Sequence, residues 1–259
     1  MNQTKRNRRQ AIQGLLAGVS GLFLSGCDRL LETKWFPKVL ATGETLNRSV
    51  HQLFSHRISM AQEFSEADLS PTFRGNGNIA VDDVRYRAMA QSGFTDWQLR
   101  VDGLVDNPSN FSLGDLRALP SRTQITRHDC VEGWSAIGKW TGVPLSVLLE
   151  KVKPQATAKY VVFHCADTFG SGSATVPYYE SIDLDDAFHF QTLLAYALNG
   201  QTLPLQNGAP LRLRVERQLG YKQAKFIKRI ELVDSFAKIG GGNGGFWEDR
   251  GGYQWYAGI

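Results

Sequence analysis

The stretch Arg127-His128-Asp129-Cys130-Val131-Glu132-Gly133-Trp134-Ser135 decides how this chain is read. Gln124 to His128 reads as a strand that runs into Asp129-Cys130, so a thiol stands at a strand end among polar neighbours. Arg127 and His128 beside it favour thiolate over thiol. A thiolate in that position suits a nucleophile or a soft-metal ligand, and one cysteine alone does not choose between them. Cys165 opens a third use, because in an oxidising compartment the two thiols could close a disulfide. A hydrolase built on Cys130 and His164 has the residue types and no local signature to support it.

Outward from this centre the elements are short and rich in β. Trp97 to Val101 alternates apolar and polar residues, Tyr160 to Cys165 reads as a buried strand, Leu211 to Val215 alternates leucine with arginine, and Phe226 to Val233 reads as a further strand. Ser112 caps a short helix to Leu119, Pro144 starts another that ends before Pro154, and Asp183 to Phe188 has helical character. Leu46, Val50, Leu53 and Phe54 fall at helical spacing, and 70–78 is a loop by its Gly, Asn and Pro content. There is no regular βαβ alternation and no internal repeat, so the pattern predicts a mixed α+β fold rather than a doubly wound one. The Gly-rich, aromatic tail from Gly240 predicts a segment packed on the domain, since exposed Trp and Tyr are costly.

A second stretch carries charge. Asn207-Gly208-Ala209-Pro210-Leu211-Arg212 is followed by Gly220-Tyr221-Lys222-Gln223-Ala224-Lys225, so Arg212, Arg214, Lys222, Lys225 and Lys228 gather around a strand and a glycine turn. Gly220 would admit backbone N–H groups close to a bound anion, and the cations would neutralise it. The competing reading is a solvated strand face with alternating arginines. The chain has no Cys-x-x-Cys, no His-Glu-x-x-His, no Walker loop and no Gly-x-Gly-x-x-Gly after a strand, which leaves a zinc site, a c-type haem and a dinucleotide fingerprint without support.

The formal charge of +4 has one source. Removing Lys5, Arg6, Arg8 and Arg9 takes 29 cationic residues to 25, equal to the 25 acids. Residues 1–26 hold no acid, and the apolar run from Ala11 to Leu24 is too short to span a bilayer, so the segment reads as an export signal and the charge carries no hint of nucleic acid. Arg8-Arg9 resembles a twin-arginine signal, with Ala11 departing from its pattern, and Leu24-Ser25-Gly26-Cys27 resembles a lipobox. An acylated Cys27 followed by Asp28 implies a protein held at the periplasmic side of the bacterial inner membrane, or a soluble periplasmic one if Cys27 is not acylated.

Taken together with Trp97-Gln98-Leu99-Arg100-Val101-Asp102-Gly103 and Trp140-Thr141-Gly142-Val143-Pro144-Leu145, these motifs resemble the molybdopterin domain of the sulfite oxidase family over roughly 73–233. The resemblance implies the sulfite-oxidase-type α+β fold and a single pyranopterin whose molybdenum is ligated by Cys130. It matches Asn207 and Arg212 to contacts with the pterin and its phosphate, Gln223, Ala224 and Lys225 to the segment that wraps the phosphate, and Cys165 to a pterin-contacting position. Arg74 and Asn76 fit the loop that meets the cofactor from the N-terminal side. His128 and Arg127 stand at the active-site pocket by adjacency. A disulfide is then not expected.

Family chemistry is two-electron oxygen-atom transfer, carried by the cofactor. Only a short segment follows Val233 and no haem domain is present, so the resemblance implies an external electron carrier such as a membrane b-type cytochrome, and a small or protein-bound S- or N-oxo substrate. In size and export the chain looks more like the bacterial exported, sulfoxide-reducing branch of the family than the eukaryotic type. Val131-Glu132-Gly133-Trp134-Ser135 and Trp247-Glu248-Asp249-Arg250 resemble a separate branch, so the chemistry implied is sulfite-oxidase-like or sulfoxide-reductase-like and the substrate does not transfer. The expected organisation is an export signal over 1–26, an N-terminal arm over 27–72, the molybdopterin-binding domain over 73–235 and the packed tail over 236–259. The alternative is an exported lipoprotein that keeps the fold and binds without catalysis.

Overall fold

The computed structural model describes residues 59–170 and 175–259, with scattered single positions between Thr33 and Val50. The chain divides into two units, Met1–Ser55 and His56–Ile259. In the first, Phe36, Val39, Leu46 and Val50 are helical, which includes two of the four residues of the expected stripe; Leu53 and Phe54 lie outside the described residues, as do the signal and Cys27. Among the described residues no helix is long and apolar enough to cross a membrane.

The second unit is built on two five-stranded sheets. Its strands are β1 (Gln98–Gly103), β2 (Ser109–Ser112), β3 (Arg122–Cys130), β4 (Trp134–Pro144), β5 (Tyr160–Phe169), β6 (Val176–Asp183), β7 (Leu193–Leu198), β8 (Gln201–Thr202), β9 (Arg212–Arg214) and β10 (Ile227–Val233). One sheet runs β2-β1-β10-β5-β6 and the other β3-β4-β7-β8, with β9 also on β7. Only β1 and β10 pair in parallel, and they are far apart in sequence; every other pairing is antiparallel. This is the mixed α+β class.

The described residues of this unit form five short helices, α1 (Val84–Gln91), α2 (Leu113–Ala118), α3 (Leu145–Val152), α4 (Leu184–Ala187) and α5 (Phe246–Arg250); α2, α3 and α4 cross between the sheets, α1 precedes β1 and α5 follows β10. Each of the three expected helices starts where its sequence signal stands. Ser112 Oγ accepts from Asp115 N at 3.0 Å while Asp115 Oδ2 accepts from Ser112 N at 2.8 Å, a reciprocal cap on α2. Asp183 Oδ1 accepts from Asp186 N at 2.9 Å and caps α4. α3 follows Pro144, buries Leu145, Leu148, Leu149 and Val152 along one stripe, and stops where Lys153 turns left-handed at φ 56°. Each of those side chains gains about 1.5–3 kcal/mol from leaving water.

Five strands are not expected from the sequence: β2 and β8, which are only four and two residues long, and β4, β6 and β7. β4 is interrupted by Gly138 and Gly142, which blunt its alternation. A Cβ at Gly142 would stand 2.6 Å from Ala195 Cα, so glycine is what lets β7 lie against it. β6 and β7 are buried almost throughout, so neither alternates. In the tail, Phe246 is buried and stacks on Phe169 with centroids 4.6 Å apart, and Trp255 lies 5.3 Å from Tyr160.

Candidate functional site

Cys130 ends β3. The turn Val131-Glu132-Gly133 is closed by Gly133 N–H donating to the Cys130 carbonyl at 3.0 Å, with Gly133 at φ 83°, and the chain returns as Trp134 opposite Cys130. Cys130, Val131 and Glu132 form one wall of a cavity of about 150 Å³. Asp167 at the end of β5, Asn76 and Asn78 from the loop before α1, and Gln223 and Lys225 after the tight turn Gly220–Lys222 line it too. Tyr178, Tyr221, Trp247 and Tyr253 supply aromatic surface, the last two stacked at 5.8 Å.

The cationic cluster is not a solvated face. Arg212, Arg214 and Lys222 are fully buried and Lys225 nearly so, while Lys228 is exposed. Charge partners sort them. Arg214 is neutralised by Glu216 at 2.5 Å, and Lys222 by Glu180 and Glu248. Arg212 donates only to the Asn207 carbonyl, at 3.0 Å; its Nε and Nη2 have no partner. Lys225 Nζ donates to the backbone carbonyls of Asn76, Asn78 and Gln206. Burial, then neighbouring Arg214, push the Arg212 guanidinium down to about 9. Burial and then Arg212 push the Lys225 ammonium down to about 7. Neither Arg212 nor Lys225 has a carboxylate in ion-pair contact among the described residues, although Asp167 bears on Lys225 from across the cavity. Such a pair suits an anion, because a buried charge without a partner is costly.

Asp167 complements them. Asn78 Nδ2 donates to its Oδ2 at 3.1 Å, Oδ1 has no partner, and burial raises its carboxyl above the ordinary range. It is a buried carboxyl in the cavity lining with one oxygen unpartnered. Glu132 is held at the cavity wall by Trp134 Nε1, which donates to it at 3.0 Å.

The residues expected from sequence fall into two groups. Cys130, Asn76, Gln223 and Lys225 line the cavity. Arg212, Asn207 and Ala224 lie buried outside its lining, joined through the Arg212–Asn207 bond and through Ala224 O, which accepts from Leu213 N at 2.8 Å. Cys165 is fully buried on β5, paired with Ile227, and its thiol is pushed well up by burial. Both cysteines are free thiols. Arg74 is exposed, with its guanidinium 4.5 Å above the Trp134 ring.

Arg127 and His128 require a correction. Arg127 pairs outward with Asp129 at 3.0 Å, its side chain 56% exposed. His128 is buried behind Gly220, where a Cβ would stand 2.6 Å from its Nε2, and its Nδ1 accepts from Arg214 at 3.1 Å. Burial and then Arg214 hold its imidazole well below the usual value, so it stays neutral. Neither drives Cys130 toward thiolate. Burial raises that thiol, and the cations acting on it are Arg74 and Lys225. Asp167, Asn78, Tyr178 and Trp247 escaped the sequence reading. The available signal for Asp167 was a lone acid closing an apolar strand; Asn78, Tyr178 and Trp247 come together only through the fold.

A soft thiol at a cavity backed by a buried arginine–lysine pair defines a class, and the chain belongs to it: the family described as oxidoreductase molybdopterin binding domain, whose model matches residues 86–238. Among curated proteins the chain is 37% identical over 243 residues to the "Putative protein-methionine-sulfoxide reductase subunit YedZ1" of Azospira oryzae, which covers 94% of this chain and 84% of that protein. It is 39% identical over 178 residues to the protein-methionine-sulfoxide reductase catalytic subunit MsrP of Ralstonia nicotianae, over 66% of this chain and 53% of that protein. A solved structure, the sulfane dehydrogenase SoxCD from Paracoccus pantotrophus, matches 54% of this chain and 39% of its own at 24% identity and a TM-score of 0.48.

The residues present fit a molybdopterin. Arg212 has two unpartnered nitrogens that a phosphate could accept from, Asp167 Oδ1 could accept from the N–H edge of a pterin ring, and Cys130 offers a soft sulfur at the same cavity that a metal would bind as thiolate. Among the described residues no group of three His, Cys, Asp or Glu side chains could hold a metal.

Proposed function

We propose that this chain is a molybdenum-cofactor oxidoreductase that transfers an oxygen atom together with two electrons, and that it acts as a reductase of S- or N-oxo compounds, sulfoxides first. The observation that carries the reading is the buried Arg212–Lys225 pair, in ion-pair contact with no described carboxylate, behind a cavity that contains Cys130. The names of the two curated relatives supply the sulfoxide.

Cys130 would hold the molybdenum, Arg212 and Lys225 the phosphate, with Asn207 and the Gln223-Ala224-Lys225 backbone around it, and Asp167 the pterin N–H edge. When bound, the group supplies a metal that exchanges an oxygen atom and two electrons. The protein's part is access and charge. Tyr178, Tyr221, Trp247 and Tyr253 supply an aromatic wall that would pack against an oxo substrate's apolar groups. A sulfoxide, two protons and two electrons give a thioether and water; an external carrier of the b-type cytochrome class supplies the electrons. Acylation of Cys27 would place the protein beside such carriers at the membrane surface.

The test is metal analysis and a substrate screen on natively exported protein. Stoichiometric molybdenum is expected in the wild type and none in Cys130→Ser, with artificial electron donors supporting sulfoxide reduction above sulfite oxidation. Wild-type protein without molybdenum, or full turnover in Cys130→Ser, overturns the assignment and favours the non-catalytic binding module.

A further inference from the structure

Behind the aromatic side of the cavity lies a second charged cluster with no part in holding the anion. Lys222 Nζ donates to Glu180 Oε1 and to Glu248 Oε1, the latter at 2.7 Å, and all three side chains are out of contact with water. The two carboxylates come from elements far apart in sequence: Glu180 from β6, Glu248 from α5 in the tail. They converge at Gly245, where a Cβ would collide with both Glu248 Oε2 and Glu180 Oε1, so only glycine allows the approach. One ammonium faces two carboxylates, and Glu180 Oε2 and Glu248 Oε2 are buried without a partner. One proton on the carboxylate pair would bring the cluster to zero charge.

Each member has a chain neighbour in the cavity lining. Lys222 lies between Tyr221 and Gln223, Glu248 follows Trp247, and Glu180 stands two residues after Tyr178, whose hydroxyl donates to the Tyr221 carbonyl at 2.8 Å. We propose that Lys222, Glu180 and Glu248 form a positioning latch, in which one lysine and one shared proton clamp the C-terminal segment against the cavity wall and so set where Trp247 and Tyr221 stand. The latch rests on the cluster's geometry and holds whether or not the chemistry proposed above is right.

The proton gives the latch a direction of pH dependence. Burial raises the Glu180 carboxyl well above the ordinary range, with Lys222 opposing and Glu248 reinforcing. The other titratable groups that bear on the cluster from β5, β6 and the tail are Cys165, Tyr178, Tyr179 and Asp249; burial raises the first two well above their ordinary values. A carboxyl raised on folding contributes stability that is complete at low pH and is lost as pH rises through its folded value. Release of the shared proton leaves two carboxylates against one ammonium, and the tail loosens.

Hydrogen exchange of the full chain, as purified, reads this directly. The Asp249, Gly251 and Tyr253 amides donate to Gly245, Trp247 and Trp247 carbonyls and report on tail closure. After correction for intrinsic exchange, their opening equilibrium is expected to rise with pH by up to about tenfold per unit, the limit for one released proton, while β5 and β10 amides stay level. Glu248→Gln leaves Lys222 and Glu180 as a balanced pair with no proton to share, so its slope is expected to vanish; Glu180→Gln is the mirror case and serves if the first variant does not fold. A wild-type tail whose opening is level with pH, or a Gln variant that keeps the wild-type slope, overturns the latch.

Discussion

At the scale of single residues, Arg212 and Arg214 occupy alternate positions of one strand and differ in what neutralises them. Arg214 has Glu216, while Arg212 has a carbonyl and two unpartnered nitrogens. A charge-assisted contact is worth about 1.5–3 kcal/mol, so Arg212→Ala is expected to weaken cofactor retention roughly 10- to 100-fold, read as molybdenum per chain after dialysis. Unchanged occupancy would remove Arg212 from the site. Lys225 makes a proton-linked prediction. With its folded value near 7 against an ordinary 10.5, the Lys225 amine is mostly deprotonated at pH 8 in cofactor-free protein. An anion beside it restores the charge, so titrating cofactor-free protein with inorganic phosphate at that pH should take up protons, measurable as buffer-dependent binding heat, and Lys225→Met should take up none. The lowered value also makes the empty protein gain stability as pH rises from about 7 toward the ordinary lysine range, because the unfolded chain binds the extra proton there. The sequence placed these cations together through local spacing. It could not say which were neutralised, since Glu180 and Glu248 reach Lys222 from distant elements.

Among the elements, those with local chemistry were legible and those defined by packing were not. The caps of α2 and α4 and the stripe of α3 stand where Ser112, Asp183 and Pro144 announce them. β4, eleven residues long and central to the second sheet, left almost no trace, because its inner face carries Gly138 and Gly142 among its apolar residues. At Gly142 the neighbouring strand fills the space a side chain would need, so Gly142→Ala is expected to cost about 1–3 kcal/mol through overpacking. A lowered urea midpoint with unchanged slope would report it. A midpoint equal to wild type would mean that β7 can move away and that β4 has some other reason for its glycine. The same strand sets the Cys130 turn through the Cys130–Trp134 pair, so strand packing and site geometry are linked at this hairpin.

On the scale of the whole molecule, the two sheets leave the cavity open on its aromatic side and the tail closes it. The closure is held by apolar packing as well as by charge. Phe246 is buried against Phe169 and Tyr178, Trp255 Nε1 donates to Ser181 Oγ at 2.8 Å, and Leu219 N–H donates to the Ala257 carbonyl at 2.9 Å. The aromatic content of the tail made its packing readable from composition; that it would line the site was unreadable, because Trp247 meets Cys130 only through the full fold. Neighbouring residues of α5 therefore have separable roles. Phe246→Ala removes a buried anchor and is expected to cost about 3–5 kcal/mol of stability, seen as a fall in thermal midpoint. Trp247→Ala removes a partly exposed ring that faces the cavity, and is expected to spare most of the stability while raising KM for an oxo substrate more than it lowers kcat. If both variants lost stability equally and Trp247→Ala left KM unchanged, the tail would be a structural strap alone, and the cavity would owe its selectivity to the Val131–Glu132 turn instead.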